Sequence, residues 1–279
     1  SYAAKKFNFQ QATTDSTAML QSKAINTAVI VTRHNTHADL ICQALQNGKH
    51  VFVEKPLAIN VDQLAQITTA YQDHARVNDV QLMVGFNRRF SPLVTKLKSL
   101  CDAVAAPKCF IMTINAGEIA ADHWLQDPAV GGGRVIGECC HFVDLMRFLA
   151  GAKSSSVQAM KMTETGASLG DKLVFNIAFE NGSVGTVHYL ANGHKAFPKE
   201  RLEVFAGGGV IQLDNYRSMK SYGWPGLKHM HLARQDKGNQ ACVKAFVQSI
   251  EQGEEALIPF AELVEVAEIC IQINQLIQS

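Results

Sequence analysis

The chain has 279 residues, 47% of them hydrophobic, and 26 Lys and Arg against 25 Asp and Glu leave a net charge of +1. Such a length suits one large or two ordinary domains of roughly 100–200 residues each, and the near-neutral balance supplies no field for nucleic acid or an anionic membrane. The apolar runs fall short of the ~20 residues that span a bilayer and no basic-then-apolar leader opens the chain, so neither a nucleic-acid nor a membrane partner is expected, and a cytoplasmic location is.

The seven cysteines are odd in number and never spaced C-x-x-C. They read as reduced thiols, with the adjacent Cys139 and Cys140 as small packing residues.

From residue 25 the pattern alternates. Thr27 to Val31 reads as a strand, His37 to Asn47 as an amphipathic helix stopping at Gly48, and Val51 to Glu54 as a second strand. A helix from Val61 to His74 and a strand from Val80 to Phe86 follow, and this rhythm implies a parallel sheet. Ligands of open parallel sheets bind at the carboxyl ends of the strands. In HVFVEKPLA the second strand runs directly into Glu54, Lys55 and Pro56, which puts an ammonium at that edge.

Beyond Phe90 the rhythm changes. A helix around Pro92 to Leu100 and a strand from Lys108 to Ile114 lead into NAGEIAADHWLQDPAVGGG, which has the composition of an active-site loop. A helix from about Glu138 to Leu149 should end at a glycine cap, Gly151. Leu173, Phe175, Ile177 and Phe179 then alternate along a strand, Asn181-Gly182 signals a hairpin, and RLEVFA and VIQLD flank Gly207 to Gly209 as another. Helices near Asn239 to Glu251 and Phe260 to Ile277 close the chain.

Several of these segments, taken together, resemble one family. VTRHNTHADL with NGKHVFVEKPLA, VGFNRRFSP, GGGRVIGECCHFVDLMRFLAG, FENGSVGTVHY and FPKERLEVFAGGG are similar to the Gfo/Idh/MocA family of NAD(P)-dependent oxidoreductases, which act mainly on sugars and cyclitols. The resemblance covers nearly the whole chain. GGGRVIGECCHFVDL, FPKERLEVF and QDKG look most like a subgroup in which this module follows a medium-chain alcohol-dehydrogenase-like domain. Such a module opens with a strand, a G-x-G-x-x-G turn and a helix that receives the pyrophosphate. No such turn precedes residue 25, and Gly131 to Gly137 and Gly207 to Gly209 have other spacings. The opening AAKKFNFQQATTD looks like the helix and loop after the second strand of the nucleotide domain, so a carboxy-terminal portion lacking the glycine-rich loop, and deficient in NAD or NADP binding as this fragment, is expected. The implied fold class is α/β: an incomplete Rossmann-like parallel sheet, residues 1–86, then an α+β domain with a large, mostly antiparallel open sheet, residues 87–279. Its last helix should pack back on the first domain, and the sheet should build a homo-oligomer.

Hydride transfer needs the carbinol carbon held near a nicotinamide and a proton moved on or off the hydroxyl. By the resemblance Lys55 binds substrate and assists that proton, and a lysine in a crowded cleft can have its pKa lowered. Pro56 shapes the turn, with a peptide bond that is cis in some relatives. His141 sits where the family has its proton donor or acceptor, with an ordinary pKa of ~6.5 suited to the task. Many relatives carry an Asp four residues earlier, where this chain has Gly137, and Glu138 is the candidate replacement. Thr32, Arg33, Asn35, His37 and Glu54 match segments beside the nicotinamide and its ribose, with His34 at the same edge. Arg88, Asp122, His123 and Trp124 match segments that enclose substrate, Lys199 and Arg201 suit acidic or hydroxyl-rich groups, and Asp236 and Lys237 are weaker candidates.

Glu138-x-x-His141, His34-x-x-His37 and His229-x-His231 invite a metal reading, but none has a further ligand nearby in sequence, and no metal is expected. The leading reading is an oxidoreductase module for a polyhydroxylated small molecule: a sugar, nucleotide sugar or cyclitol. A non-catalytic carbohydrate-binding or assembly subunit, favoured by Gly137, and an NAD-using glycosidase are the alternatives.

Overall fold

The computed structural model describes residues 2–162 and 171–278. Two short helices, α1 (Tyr2–Lys6) and α2 (Ser16–Gln21), lead into a βα repeat. Its strands β1 (Thr27–Ile30), β2 (His50–Val53) and β3 (Leu82–Val84) pair in parallel in the order β1-β2-β3. Helix α3 (His37–Gln46) follows β1 and turns Ala38, Ile41, Cys42, Ala44 and Leu45 inward. The central strand β2 is covered on both faces, so Val51, Phe52 and Val53 are all buried, as expected for a parallel strand between helical layers. Each such side chain removed from water contributes about 1.5–3 kcal/mol.

After β2, Asn60 caps α4 (Val61–Ala70) by accepting from the Gln63 amide at 2.9 Å, which satisfies one of the donors a helix start leaves open. The helix expected to run on to His74 continues through a π turn at Tyr71–Ala75 into the short α5 (Arg76–Asn78).

The second half starts with α6 (Pro92–Asp102) and β4 (Cys109–Asn115). Helix α7 (Cys140–Ala150) follows a π turn at Val135–Cys139, where a helix had been expected from Glu138, and it ends at Gly151 with φ 66°. A glycine is needed there because that left-handed conformation crowds a Cβ. Strands β5 (Ser154–Lys161), β6 (Lys172–Phe179), β7 (Val184–Leu190), β8 (Glu200–Ala206), β9 (Gly209–Asp214), β10 (Ser218–Tyr222) and β11 (His229–His231) complete an eight-stranded sheet. Its order is β11-β10-β9-β8-β4-β7-β6-β5, antiparallel except where β4 runs alongside β7. Alternation decides its two faces: Phe110, Met112, Phe175, Val187, Tyr189, Leu202, Val204 and Ile211 are buried on one. The fold class read from the sequence is the one observed.

Helices α8 (Asn239–Gln252) and α9 (Phe260–Leu276) return to the first half. Phe246 meets Phe52 with ring centroids 5.5 Å apart, and Phe260 stacks on Tyr71 at 3.7 Å. All seven cysteines are free, with Cys139 and Cys140 buried. Among the described residues no helix is long and apolar enough to cross a membrane.

The turn after β3 carries two arginines that splay into different elements. Arg88 pairs with Glu200 of β8 at 2.9 Å, while Arg89 reaches Asp144 of α7 at 2.7 Å and Glu262 of α9 at 2.8 Å. Burial pushes the Asp144 carboxyl up to about 6 even with Arg89 beside it. Replacing Arg89 by Leu would leave two carboxylates facing an apolar neighbour. The expected cost is about 3–5 kcal/mol, read as a lowered midpoint of urea unfolding by circular dichroism.

Candidate active site between the two sheets

Lys55 leaves the carboxyl end of β2 just before a cis Lys55–Pro56 peptide. Its Nζ crosses to the second half and donates to the Gly137 carbonyl at 2.7 Å. Gly137 lies in the π turn that feeds α7, and His141 sits in the first turn of that helix. The strand-end ammonium and the helix-start imidazole are thereby brought to one place. His141 is buried, and its Nδ1 has no protein partner. Burial, reinforced by Arg88, Lys55, Lys237 and Lys199, holds the imidazole pKa well below its ordinary value. The ring is therefore neutral near pH 7 and has a lone pair to offer.

Glu138, expected as a proton carrier, has another part. Its carboxylate accepts from Lys199 Nζ at 2.7 Å, from Arg134 Nη2 at 3.0 Å and from the Tyr189 hydroxyl. Burial opposes ionisation, yet Lys199, Tyr189 and Arg134 together bring its pKa down to about 2. A carboxylate so firmly ionised is a poor proton relay. It acts as the fixed anion that orients Lys199 and Tyr189.

Position 137 is crowded by two side chains. A Cβ there would lie 2.6 Å from Leu125 Cδ1 and 2.8 Å from His34 Cε1, well inside contact distance, so a side chain at this position would have to displace the Leu125 and His34 side chains. His34 is buried, with Nδ1 2.8 Å from the Gly131 carbonyl and its ring edge-on to Trp124 at 4.8 Å. Burial, opposed by the Gly131 hydrogen bond, lowers its pKa to about 4.

The remaining candidates divide. Thr32, Arg33, Asn35, Thr36 and Asp39 line a groove of about 580 Å³ at the carboxyl end of β1. Asn35 Oδ1 is buried there without a partner. Such an edge, with an unmatched amide oxygen, fits a hydrogen-bonding cofactor such as NAD(P). His37, expected to contact that cofactor, does not line this groove: Nδ1 lies 2.8 Å from the Pro56 carbonyl and Nε2 3.2 Å from that of Thr32. Sealed between two carbonyls, it ties the β1–α3 turn to the Lys55 loop. Pro56 takes part through its carbonyl, and Glu54 lies against Gly85. Trp124 packs on His34 and carries Arg33 over its ring at 5.9 Å. His123 accepts from the Leu125 amide at 3.2 Å, and Asp122 is exposed.

Arg88, expected on substrate, is committed to Glu200 by Nε and Nη2. Arg201 lies across the sheet from Glu200 because neighbouring strand residues point oppositely, and it pairs with Glu203 at 3.6 Å. Lys237, the weaker candidate, does join the site, donating to Glu200 at 2.6 Å, while Asp236 turns to the Gly238 amide. Sequence reading missed Arg134, Tyr189 and Glu200. Only the inward parity of Tyr189 and Glu200 on their strands could have flagged two of them. Among the described residues no group of three or more His, Cys, Asp or Glu side chains could hold a metal ion.

A parallel βα half with Lys55 at a strand end is joined to an α+β half whose helix α7 carries His141. Two family models agree: one described as "Oxidoreductase family, NAD-binding Rossmann fold" matches residues 1–86, and the GFO/IDH/MocA C-terminal domain matches residues 108–212. The chain belongs to the Gfo/Idh/MocA oxidoreductase family. The expectation of a carboxy-terminal portion that lacks the glycine-rich loop and is deficient in cofactor binding finds no support, since the Rossmann model matches over residues 1–86.

Relatives include the myo-inositol 2-dehydrogenase of Thermotoga maritima, 25% identical over 90% of this chain and 77% of that protein. The inositol 2-dehydrogenase of Rhizobium meliloti is 28% identical over 83% and 72%. With the oxidoreductase YrbE of Bacillus subtilis, 28% identical, the match spans 74% of this chain but 60% of the relative's length. The fold is shared with levoglucosan dehydrogenase in complex with NADH and levoglucosan, at a TM-score of 0.86 and 23% identity over 99% of this chain and 84% of that one.

The low pKa of Glu138 stabilises the fold above its unfolded value near 4.5, and that contribution is lost as pH falls toward 2. Glu138→Gln is therefore expected to lower Tm most above pH 5, with the gap to the parent protein closing between pH 4.5 and 2. Thermal melts across that range provide the measurement.

Proposed function

We propose that the protein oxidises a secondary alcohol of a sugar- or cyclitol-like substrate with NAD or NADP, using Lys55 and His141. The observation that carries this reading is the Lys55 Nζ contact to Gly137, 2.7 Å long, which holds the ammonium beside the helix that presents His141. Relatives named as inositol dehydrogenases and a shared fold with a levoglucosan dehydrogenase support the substrate class. The groove at Thr32, Arg33 and Asn35 would hold the cofactor, which when bound supplies the hydride acceptor.

The protein's own work is then positioning and proton transfer. Neutral His141 accepts the hydroxyl proton, and Lys55 donates a hydrogen bond to the same oxygen, offsetting the negative charge that grows as the proton leaves. Glu138 keeps Lys199 and Tyr189 in place from behind. His37, between the Thr32 and Pro56 carbonyls, keeps the cofactor edge and the Lys55 loop in one register.

Residues 1–86 serve in this reading as the cofactor half and 87–279 as the substrate half. A homo-oligomer through the outer face of the large sheet completes it. There Tyr222, Val210, Phe205, Cys109 and Val184 form one cross-strand row, with Tyr222 61% exposed.

Lys55→Met and His141→Asn should each lower kcat/KM for NAD(P)-linked polyol oxidation by about 10²–10⁴-fold while leaving the circular dichroism spectrum unchanged. Full activity in either variant would sink the assignment, and hydrolysis of a glycoside without net NADH formation would favour a glycosidase. Light scattering should report an oligomer that Phe205→Lys weakens.

A further inference from the structure

The arrangement of charge around His141 says more about the substrate than its hydroxyls. Lys55, Arg88, Arg134, Lys172, Lys199 and Lys237 stand against Glu54, Glu138, Glu200 and Asp171 among the described residues, a surplus of two positive charges. The members are not equally exposed. The Glu200 side chain is 0% exposed and that of Glu138 15%, whereas Lys237 is 20% exposed and Lys199 40%. Each carboxylate is more buried than the lysine it holds and is already shared by two cations.

The anchors belong to different elements, which fixes where those heads can go. Lys199 immediately precedes Glu200 at the start of β8, yet the two side chains part: Lys199 goes to Glu138 and Glu200 to Arg88 and Lys237. Glu138 is next to Gly137, on whose carbonyl Lys55 rests. Lys55, Lys199 and Lys237 therefore bring positive charge to bear on His141 from three segments, and Lys55 has a carbonyl rather than a carboxylate as its partner. A neutral polyol has no group that uses such a surplus, because like charges gathered in a cleft repel until an anion joins them.

We propose that the substrate is an acidic polyol, carrying a carboxylate or phosphate that docks against Lys199 and Lys237 while a neighbouring hydroxyl meets Lys55 and His141. This rests on the reading that Lys55 and His141 flank the reacting carbon. It selects sugar acids or sugar phosphates over the neutral sugars and cyclitols.

Isothermal titration of the full chain with glucose, glucuronate and glucose 6-phosphate tests it. At low ionic strength one of the two anions should bind at least about tenfold more tightly than glucose, and the advantage should shrink as salt is raised. Which anion wins separates carboxylate from phosphate. Lys199→Met leaves Glu138 with Arg134 and Tyr189, and Lys237→Met leaves Glu200 with Arg88, so both variants keep buried carboxylates partnered. Each should lose most of the anion advantage over glucose. Equal affinity for glucose, failure of both anions to bind, or an advantage that survives both substitutions would overturn the proposal. Lys55-dependent oxidation of neutral polyols with no anion preference sinks this inference alone. Preferred binding of an anion with no NADH formed on any polyol leaves it standing and sinks the dehydrogenase reading.

Discussion

Two adjacent arginines in one turn hold the molecule in register. Arg88 and Arg89 follow β3 of the parallel sheet, and their guanidiniums end on Glu200 of β8 and on Asp144 and Glu262 of α7 and α9. Buried ion pairs add little net stability over apolar packing, but a broken one is costly. The pairs therefore act chiefly as constraints, allowing few placements of the antiparallel sheet against the parallel one. Lys55 and His141 belong to opposite halves, so their meeting depends on that placement.

Within the register so defined, the site is built by exclusion as much as by attraction. The His34 and Leu125 side chains crowd Gly137, whose carbonyl accepts from Lys55. The carboxylate on the next residue is turned away toward Arg134, Tyr189 and Lys199. A chain with Asp at position 137 would present an acid beside the histidine. This chain presents a neutral imidazole ringed by cations, and that difference in charge bears on what the cleft will accept.

Electrostatics and burial also divide the histidines by role. His37 has both ring nitrogens against carbonyls and ties two loops together. His34 spends its Nδ1 on Gly131 and its faces on packing. His141 alone of the three keeps a buried ring nitrogen without a protein partner, which suits a ring that receives a proton from outside the protein.

By itself the sequence determined the elements and singled out the two groups on which the proposed reaction turns. Period-two and helical spacing, the Asn181-Gly182 turn and the Gly151 cap are local, and a local conformational preference is written in neighbouring residues. Lys55 and His141 were legible because each stands at the end of a short, well-marked segment. The partners were not: Arg88 and Glu200 are 112 residues apart, Lys55 and Gly137 82 apart. That Arg201 faces away while Lys199 faces in, that His37 is sealed, and that Glu138 is an ionised anchor are matters of which surfaces meet. Only the tertiary structure decides them, because a charge's protonation and partners depend on burial and on groups that chain folding brings from afar.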